Sequence, residues 1–444
     1  MLDSEVVKYL DKYQIKGHEL LWNRNNSTSS AVVIPAIKEF NNIRGLLKSL
    51  TEADPAFFSN TLFIFVINNT PSSDAHIKND NFKSIELLEN IIDKIPADNL
   101  IKEVINSGLN IGFIDSSTPG KEFSEKDGGV GLARKTGMDE ALKIFNYKIK
   151  GPKLLICLDA DCTVEHNYLN EIHSAFLGKK VNAASVYFEH NIKDNEETDR
   201  AITIYEIFLR YYVLGLRYAG SYYAFHTIGS AMVCDHSTYI KVEGMNKKKA
   251  AEDFYFLEKI SKNTGIFNIN STTVYPSGRK SWRVPFGTGQ RITRFHAGTH
   301  YEYLLYNPDL FEILQEWLAL YHDENIISPA QYLYHAGKIN KNLYDFLVLQ
   351  NFERNMEKIM KSSKADDQFR KQKLGWFDGF RTLKLVHFLR DNGFPNIFML
   401  DALDIMFKKT NIPFTKRIGN CIPDQNTLFQ YLNILRMLDK NKRI

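Results

Sequence analysis

Cysteine is scarce in this chain. Its four cysteines, Cys157, Cys162, Cys234 and Cys421, form no C-x-x-C pair and match none of the spacings of a zinc site. Structural zinc is therefore not expected, and a reducing, cytosolic compartment fits best. The opening MLDSEVVKYLDKYQIKG lacks the basic start, apolar centre and small-residue cleavage site of a signal peptide. No run reaches about 18 uninterrupted apolar residues, so a spanning helix is not expected. No internal repeat is visible. The excess of one charge sign is also small, a net +4 at pH 7.

That small net charge hides an asymmetry. From Asn351 onward the bases exceed the acids by eight, whereas residues 1–350 carry an excess of four acids. A basic C-terminal part suits anionic lipid, nucleic acid or a phosphorylated acceptor, although solvated helix faces give the same count. Nucleic acid is not expected as a partner. The expected location is cytoplasmic, with peripheral contact at the inner face of a membrane left open.

What is present is the composition of a folded globular protein, with 44% hydrophobic, 24% charged and 13% aromatic residues. At 444 residues the chain exceeds the usual limit for a single core, so a large domain with an appendage is expected. AVVIP, TLFIFVIN, IKEVIN, KLLICLD and VNAASVYF read as strands. Between them, NNIRGLLKSL, NFKSIELLENIIDKI, GVGLARKTGMDEALKIF and the segment from Asn167 to Leu177 read as helices. This alternation predicts an α/β fold, a doubly wound and mostly parallel sheet with helices on both faces. Further on, IGSAMVCDH and IFNINSTTVYP read as strands and AEDFYFLEKISKN as a helix. PSGRKSWRVPFGTGQR reads as a long irregular loop of the kind that often serves as a lid. From about Tyr301 the pattern is wholly helical. The expected division is a helical N-terminal segment at 1–30, the α/β domain at 31–300 and a helical region at 301–444. The aromatic helix AITIYEIFLRYYVLGLRYAGSYYA, broken by Glu206, Arg210 and Arg217, suits either core packing or an interfacial face on a membrane or acceptor.

Ligands of such sheets bind at the carboxyl ends of the strands. Pro35 to Glu39, Asn68 to Asp74, and Asp159 to Asp161 should therefore share one rim. A D-x-D is expected about once by chance in a chain of this length. Its position after the buried-type run LLICL is what singles out Asp159 and Asp161. Two residues apart in extended chain they face the same way, and hard oxygen ligands suit Mg²⁺ or Mn²⁺ with positions open for phosphate. Such a cation would neutralise a departing diphosphate.

The ordered series VVIPAIKE, VINNTPSSD, GVGLARKTGMDEA, CLDADC, GSAMV and AAEDFYFLEK resembles the family 2 glycosyltransferases of GT-A fold, over roughly Ala31 to His300. The resemblance implies a metal-dependent hexosyltransferase that moves a sugar from a nucleoside-diphosphate sugar to an acceptor hydroxyl. The acceptor, whether glycan, lipid-linked or small molecule, is not readable. It implies donor contacts at Pro35, Glu39, Asn68, Asp115, Arg134, Lys135 and Asp159, with Arg279 and Arg283 closing over the diphosphate. It implies metal ligands at Asp159 and Asp161, with His296 or His300 completing the set. Asp253, or its neighbour Glu252, would be the general base of an inverting transfer. NNTPSSD lacks the family's usual paired Asp, and Gln290, Arg294 and Phe295 miss the spacing of processive members, so a non-processive enzyme is expected.

For several residues a plain structural role competes. Glu39, Glu252 and Asp253 suit helix N-termini on electrostatic grounds alone. Asp115 suits a loop turn, Arg134 a surface helix, and either histidine a structural place. Retaining GT-A transfer, a sugar nucleotidyltransferase and a non-catalytic nucleotide-sugar-binding scaffold remain the alternatives. The second is disfavoured because the loop PAIKEFNN lacks the Gly-rich, Arg- and Lys-bearing sequence those enzymes show after the first strand.

Overall fold

The apolar runs that lack polar alternation become the buried centre of a sheet. The structure is a computed structural model describing residues 3–23, 27–178, 181–192, 196–279, 287–323, 328–414 and 422–441. Its nine-stranded sheet comprises β1 (Leu20–Trp22), β2 (Ser30–Ala36), β3 (Thr61–Asn68), β4 (Asn110–Ser116), β5 (Leu154–Cys157), β6 (Thr163–Val164), β7 (Ala183–Phe188), β8 (Met232–Asp235) and β9 (Phe267–Tyr275). In space the order is β1-β4-β3-β2-β5-β8-β7-β9-β6. The longest ladders, β4 on β3 and β3 on β2, are parallel, as are β2 on β5 and β7 on β9. β1, β8 and β6 run antiparallel to their neighbours. The sheet is thus mixed and mostly parallel, the α/β class that the alternating pattern predicts.

Strand periodicity sorts the side chains to two faces. Val32, Ile34, Phe63, Phe65, Phe113, Leu154 and Ile156 enter one core together with α2 (Phe40–Thr51), α3 (Ala75–Ile92), α4 (Asn99–Ser107) and α6 (Tyr168–Gly178). The intervening Val33 and Val66 face α5 (Val130–Ile144) on the other side. There α5 approaches closely because position 137 is glycine: a Cβ on Gly137 would lie 2.4 Å from Val33 Cγ1 and 3.0 Å from Val66 Cγ2. Gly137→Ala should therefore overpack the sheet and lower stability by roughly 1–3 kcal/mol, read from the urea midpoint. An unchanged midpoint would mean that the helix rides further out than this geometry.

One element departs from its sequence reading. IKEVIN is not a strand but the centre of α4, and the neighbouring strand is NIGFIDS, β4. The reason is capping. Asp98 accepts a hydrogen bond from the Ile101 amide at 2.8 Å, Gly108 ends the helix at φ 81°, and Ile101 and Val104 bury one side. The apolar residues at 101 and 104 belong to a helical period that the β-branched composition obscured.

The chain divides into two compact units, Met1–Asn191 with Thr227–Gln290, and Ile192–His226 with Arg291–Ile444. The first contains the whole sheet. It also takes in the N-terminal segment, because β1 pairs with β4 and α1 (Ser4–Tyr13) reaches α5 through Tyr9, whose hydroxyl donates to Asp139 at 2.8 Å.

The second unit gathers α7 (Glu196–Tyr218) with chain from Arg291 onward and, among the described residues, is helical except for one short antiparallel pair, Leu304–Leu305 with Ile397–Phe398, which the wholly helical reading of this region did not include. Ile204, Ile207, Tyr211 and Leu214 of α7 lie in its apolar core with Phe311, Leu314 and Trp317. This is the core-packing reading of the aromatic helix. The charges that interrupt it are matched internally: Arg210 pairs with Glu206 at 2.8 Å and with Asp439 at 2.5 Å, and Arg217 with Asp439 at 2.6 Å. No described helix is long and apolar enough to cross a membrane.

Candidate functional site

Because β2, β3 and β5 are parallel neighbours, their carboxyl ends bring Ala36, Asn68 and Cys157 to one edge. Each strand hands its polar residues to that edge. After β5 the chain does not stay extended: the Cys162 amide donates to the Asp159 carbonyl at 3.1 Å, closing a turn around Ala160 and Asp161. The two aspartates are consequently not a parallel pair on one strand face. Each meets a different guanidinium, Asp159 that of Arg134 at 2.5 Å and Asp161 that of Arg279 at 2.8 Å.

Arg134 is the fifth residue of α5, yet it is only 1% exposed. Burying a guanidinium without counter-charge costs several kcal/mol, and here two carboxylates answer it. Nη2 donates to Asp159 and Nη1 to Glu252, the first residue of α9 (Glu252–Ser261). Gly229 backs the group, since a Cβ there would lie 2.6 Å from Arg134 Nη2. The arginine is thus walled in among carboxylates rather than presented on a helix surface. Burial pulls its pKa down, but Asp159 and Glu252 outweigh this and raise it, so the guanidinium stays charged.

The carboxylates on the other side of Arg134 feel the same balance. Burial raises the pKa of Glu252, Arg134 pulls it down and Asp253 pushes it up, and the net position is about 7. Asp253 is also raised, chiefly by burial and against the pull of Arg134. The two differ in access: Glu252 is 5% exposed and tied to Arg134, whereas Asp253 is half-buried, with Oδ1 accepting from the Phe254 amide at 2.7 Å. The backbone reaches this pair through Ala251 at φ 57°, a conformation that costs a non-glycine residue free energy. Asn246 Nδ2 braces it by donating to the Glu252 carbonyl at 2.8 Å.

Glu39, after the β2 strand end, is 2% exposed and follows Lys38 at φ 56°. Its carboxylate accepts from Asn42 Nδ2 and from Arg279 Nη2, so Arg279 bridges Glu39 and Asp161. Glu39 is the N-cap residue of α2, where its charge suits the helix dipole, but its side chain makes no capping hydrogen bond to a backbone amide of the first turn.

The remaining sequence candidates have other partners or places. Pro35 lies inside β2 and is buried. Asn68 Nδ2 donates to the carbonyls of Ala36 and Val66 at 3.0 and 3.1 Å, tying two strand ends together. Asp115 accepts from the Ser117 and Thr118 amides, each at 3.0 Å, and pairs with Lys121 at 3.2 Å, the turn role. Lys135 joins Tyr9 Oη at 2.9 Å and Asp139 at 3.1 Å in a second buried group, where burial lowers its pKa against the pull of Asp139. His296, on α10 (Thr288–Ala297), and exposed His300 belong to the second unit. Arg283 lies outside the described residues.

Four carboxylates therefore pair with two guanidiniums, Asp159 and Glu252 with Arg134 and Asp161 and Glu39 with Arg279, and Asp253 is the neighbour of Glu252 in the chain. Their hard oxygens suit Mg²⁺ or Mn²⁺. Among the described residues no group of three or more His, Cys, Asp or Glu converges as a metal cage. The fit is to a cation held by one or two carboxylates and completed by phosphate oxygens and water. Asp159 and Asp161, 36% and 19% exposed, are the accessible donors.

The sequence reading singles out the carboxylates and both arginines but not which pairs with which. Arg134 and Glu252 are 118 positions apart and Arg279 and Glu39 240 apart, and no local spacing encodes either pairing. Gly229, within the quoted GSAMV, was the one hint that something bulky approaches there.

Neither a family model nor a curated protein matches the chain. Solved structures similar to it include residues 1–349 of S. aureus TarS in complex with UDP-GlcNAc, at 10% identity and a TM-score of 0.37, covering 94% of this chain and 92% of that one. Another is the mannosyltransferase PcManGT from Pyrobaculum calidifontis in complex with GDP-Man and Mn²⁺, at 11% identity and a TM-score of 0.36, covering 99% and 93%.

Proposed function

We propose that the chain is a metal-dependent glycosyltransferase that moves a sugar from a nucleoside-diphosphate sugar to an acceptor hydroxyl with inversion and without processive polymerisation. One observation carries the reading. A buried arginine joins the accessible carboxylate of a D-x-D turn to a second carboxylate pair whose affinity for protons is raised. Diphosphate departure and hydroxyl deprotonation need those two kinds of group side by side.

Mg²⁺ or Mn²⁺ would be held by Asp161 and Asp159 and would supply charge stabilisation to the leaving diphosphate when bound. The chain's own residues do the rest. Arg134 fixes Asp159 and Glu252 relative to each other. Glu252, buried and tied, orients the first turn of α9. Asp253, half-buried beside it, takes the proton of the attacking hydroxyl, for which a carboxylate poised nearer neutrality is better matched than an ordinary one. Arg279 and Glu39 stand on the diphosphate side.

A screen of UDP-, GDP- and dTDP-sugars by calorimetry, with and without Mn²⁺, tests the reading. A donor should bind more tightly with metal, and Asp161→Ala should lose that metal-dependent increment by roughly tenfold or more. No donor binding under any condition would favour a scaffold. Pyrophosphate release from a nucleoside triphosphate and a sugar phosphate would favour a nucleotidyltransferase. Proton NMR of the fresh product reports the anomer, and retention would remove Asp253 as base.

A further inference from the structure

We infer that α1 is a brace for the carboxylate pair that opens α9, with Tyr9 and Tyr13 as positioning residues that hold the segment 243–251 against α5. The inference rests on the role proposed above for Asp253. It adds that the base is set in place by a helix that carries none of the site residues.

The segment 243–251 leads directly into Glu252 and has neither helix nor strand of its own. Glu243 at φ 58° and Ala251 at φ 57° put a non-glycine residue in the left-handed region at each end of it. Such conformations persist only where the surroundings over-determine them. One hold is internal: Asn246 Nδ2 donates to the Glu252 carbonyl at 2.8 Å, and Oδ1 accepts from the Lys248 amide at 3.1 Å. Another is the start of α5, where a Cβ on Gly129 would lie 3.0 Å from Lys249 Cα and one on Gly131 2.8 Å from the Asn246 carbonyl oxygen.

The third hold is α1, which grips the segment and α5 together. Tyr13 Oη donates to Glu243 Oε1 at 2.5 Å, and a Cβ on Gly244, itself at φ 75°, would overlap the Tyr9 hydroxyl. That same hydroxyl donates to Asp139 Oδ1 at 2.8 Å and accepts from Lys135 Nζ at 2.9 Å. Tyr239, on α8 (His236–Lys241), adds a bond to Asp139 at 2.8 Å, and Gln14 donates to Glu140 at 3.1 Å. Tyr9, Lys135, Asp139 and Tyr239 are all buried, so parting them would strand a charge, which is strongly unfavourable. Of the two elements that α1 joins, α5 is also fixed by its close approach to the sheet at Gly137, and Arg134 by Asp159. Loosening the brace therefore frees the start of α9 before it frees Arg134.

Hydrogen–deuterium exchange of the full chain, read beside hydrolysis of the nucleotide sugar that the screen above selects, tests this. Tyr9→Phe keeps the ring and removes the hydroxyl between Lys135 and Asp139. Amides of 243–254 should exchange about tenfold or more faster than in the native chain, the effect of one lost hydrogen bond to a charged group, while those of β2 and β3 keep their rates. For hydrolysis, kcat should fall by about tenfold with donor KM unchanged, because the donor side stays on the sheet. Tyr13→Phe releases only Glu243 and should show a smaller change of the same pattern. It decides the matter if Tyr9→Phe fails to fold, as judged by circular dichroism. Unchanged exchange at 243–254 in both variants, exchange raised equally in β2 and β3, or faster exchange with kcat unchanged would each overturn the inference. Absence of hydrolysis in the native chain would remove the transferase reading, and exchange at 243–254 would still decide whether α1 holds the segment.

Discussion

Asp253→Asn should lower turnover by roughly 10²- to 10⁴-fold while leaving metal and donor binding nearly unchanged. The substitution is close to isosteric. Asparagine retains an oxygen that can accept from the Phe254 amide, as Asp253 Oδ1 does now at 2.7 Å, so the start of α9 need not move. It removes a charge from a crowd of carboxylates, which relieves repulsion on Glu252 instead of adding to it. On the proposed reading, what is lost is the half-buried carboxylate that takes the proton of the attacking hydroxyl. Single-turnover rates with bound donor, compared with donor affinity by calorimetry, separate the two roles. Donor affinity falling in proportion to rate would mean that Asp253 holds the donor, and the base would have to be sought elsewhere.

The difference between Glu252 and Asp253 shows where sequence legibility ends. Both were visible as an acidic pair opening a helix, and the order of strands and helices before them was visible too, because periodicity is a local property. Which carboxylate is free depends on Arg134, 118 positions away. The same holds for Glu39, whose partner Arg279 lies beyond β9. IKEVIN failed for the opposite reason: its signal was local but weak, two apolar residues at a helical period, and the deciding features were the caps Asp98 and Gly108 on either side. Lys135 is a third case. Adjacent to Arg134 in sequence, it belongs to a separate group with Tyr9 and Asp139, since consecutive helical residues point about a quarter-turn apart.

Arg134→Met should destabilise the fold by about 3–5 kcal/mol near pH 8, the usual effect of removing one partner from a buried ion pair. The pH dependence identifies the cause. In the native chain burial already raises Glu252 to about 7, from an ordinary value of 4.5, although Arg134 pulls the other way. A carboxyl whose folded pKa is raised contributes stability that is fully present below its unfolded value and is lost as pH rises through the folded value. Without Arg134 the pKa climbs further, so more stability is lost at alkaline pH, while below about pH 5 Glu252 is protonated with or without the arginine. Urea unfolding at pH 8 and pH 5 should therefore show a deficit that shrinks on acidification, and Glu252→Gln in the methionine background should restore part of the loss at pH 8. A deficit of equal size at both pH values would assign the damage to lost packing around Gly229 rather than to stranded charge. Arg134 would then be a space-filling residue that happens to be basic, and the link between the D-x-D turn and the carboxylates of α9 would need another carrier.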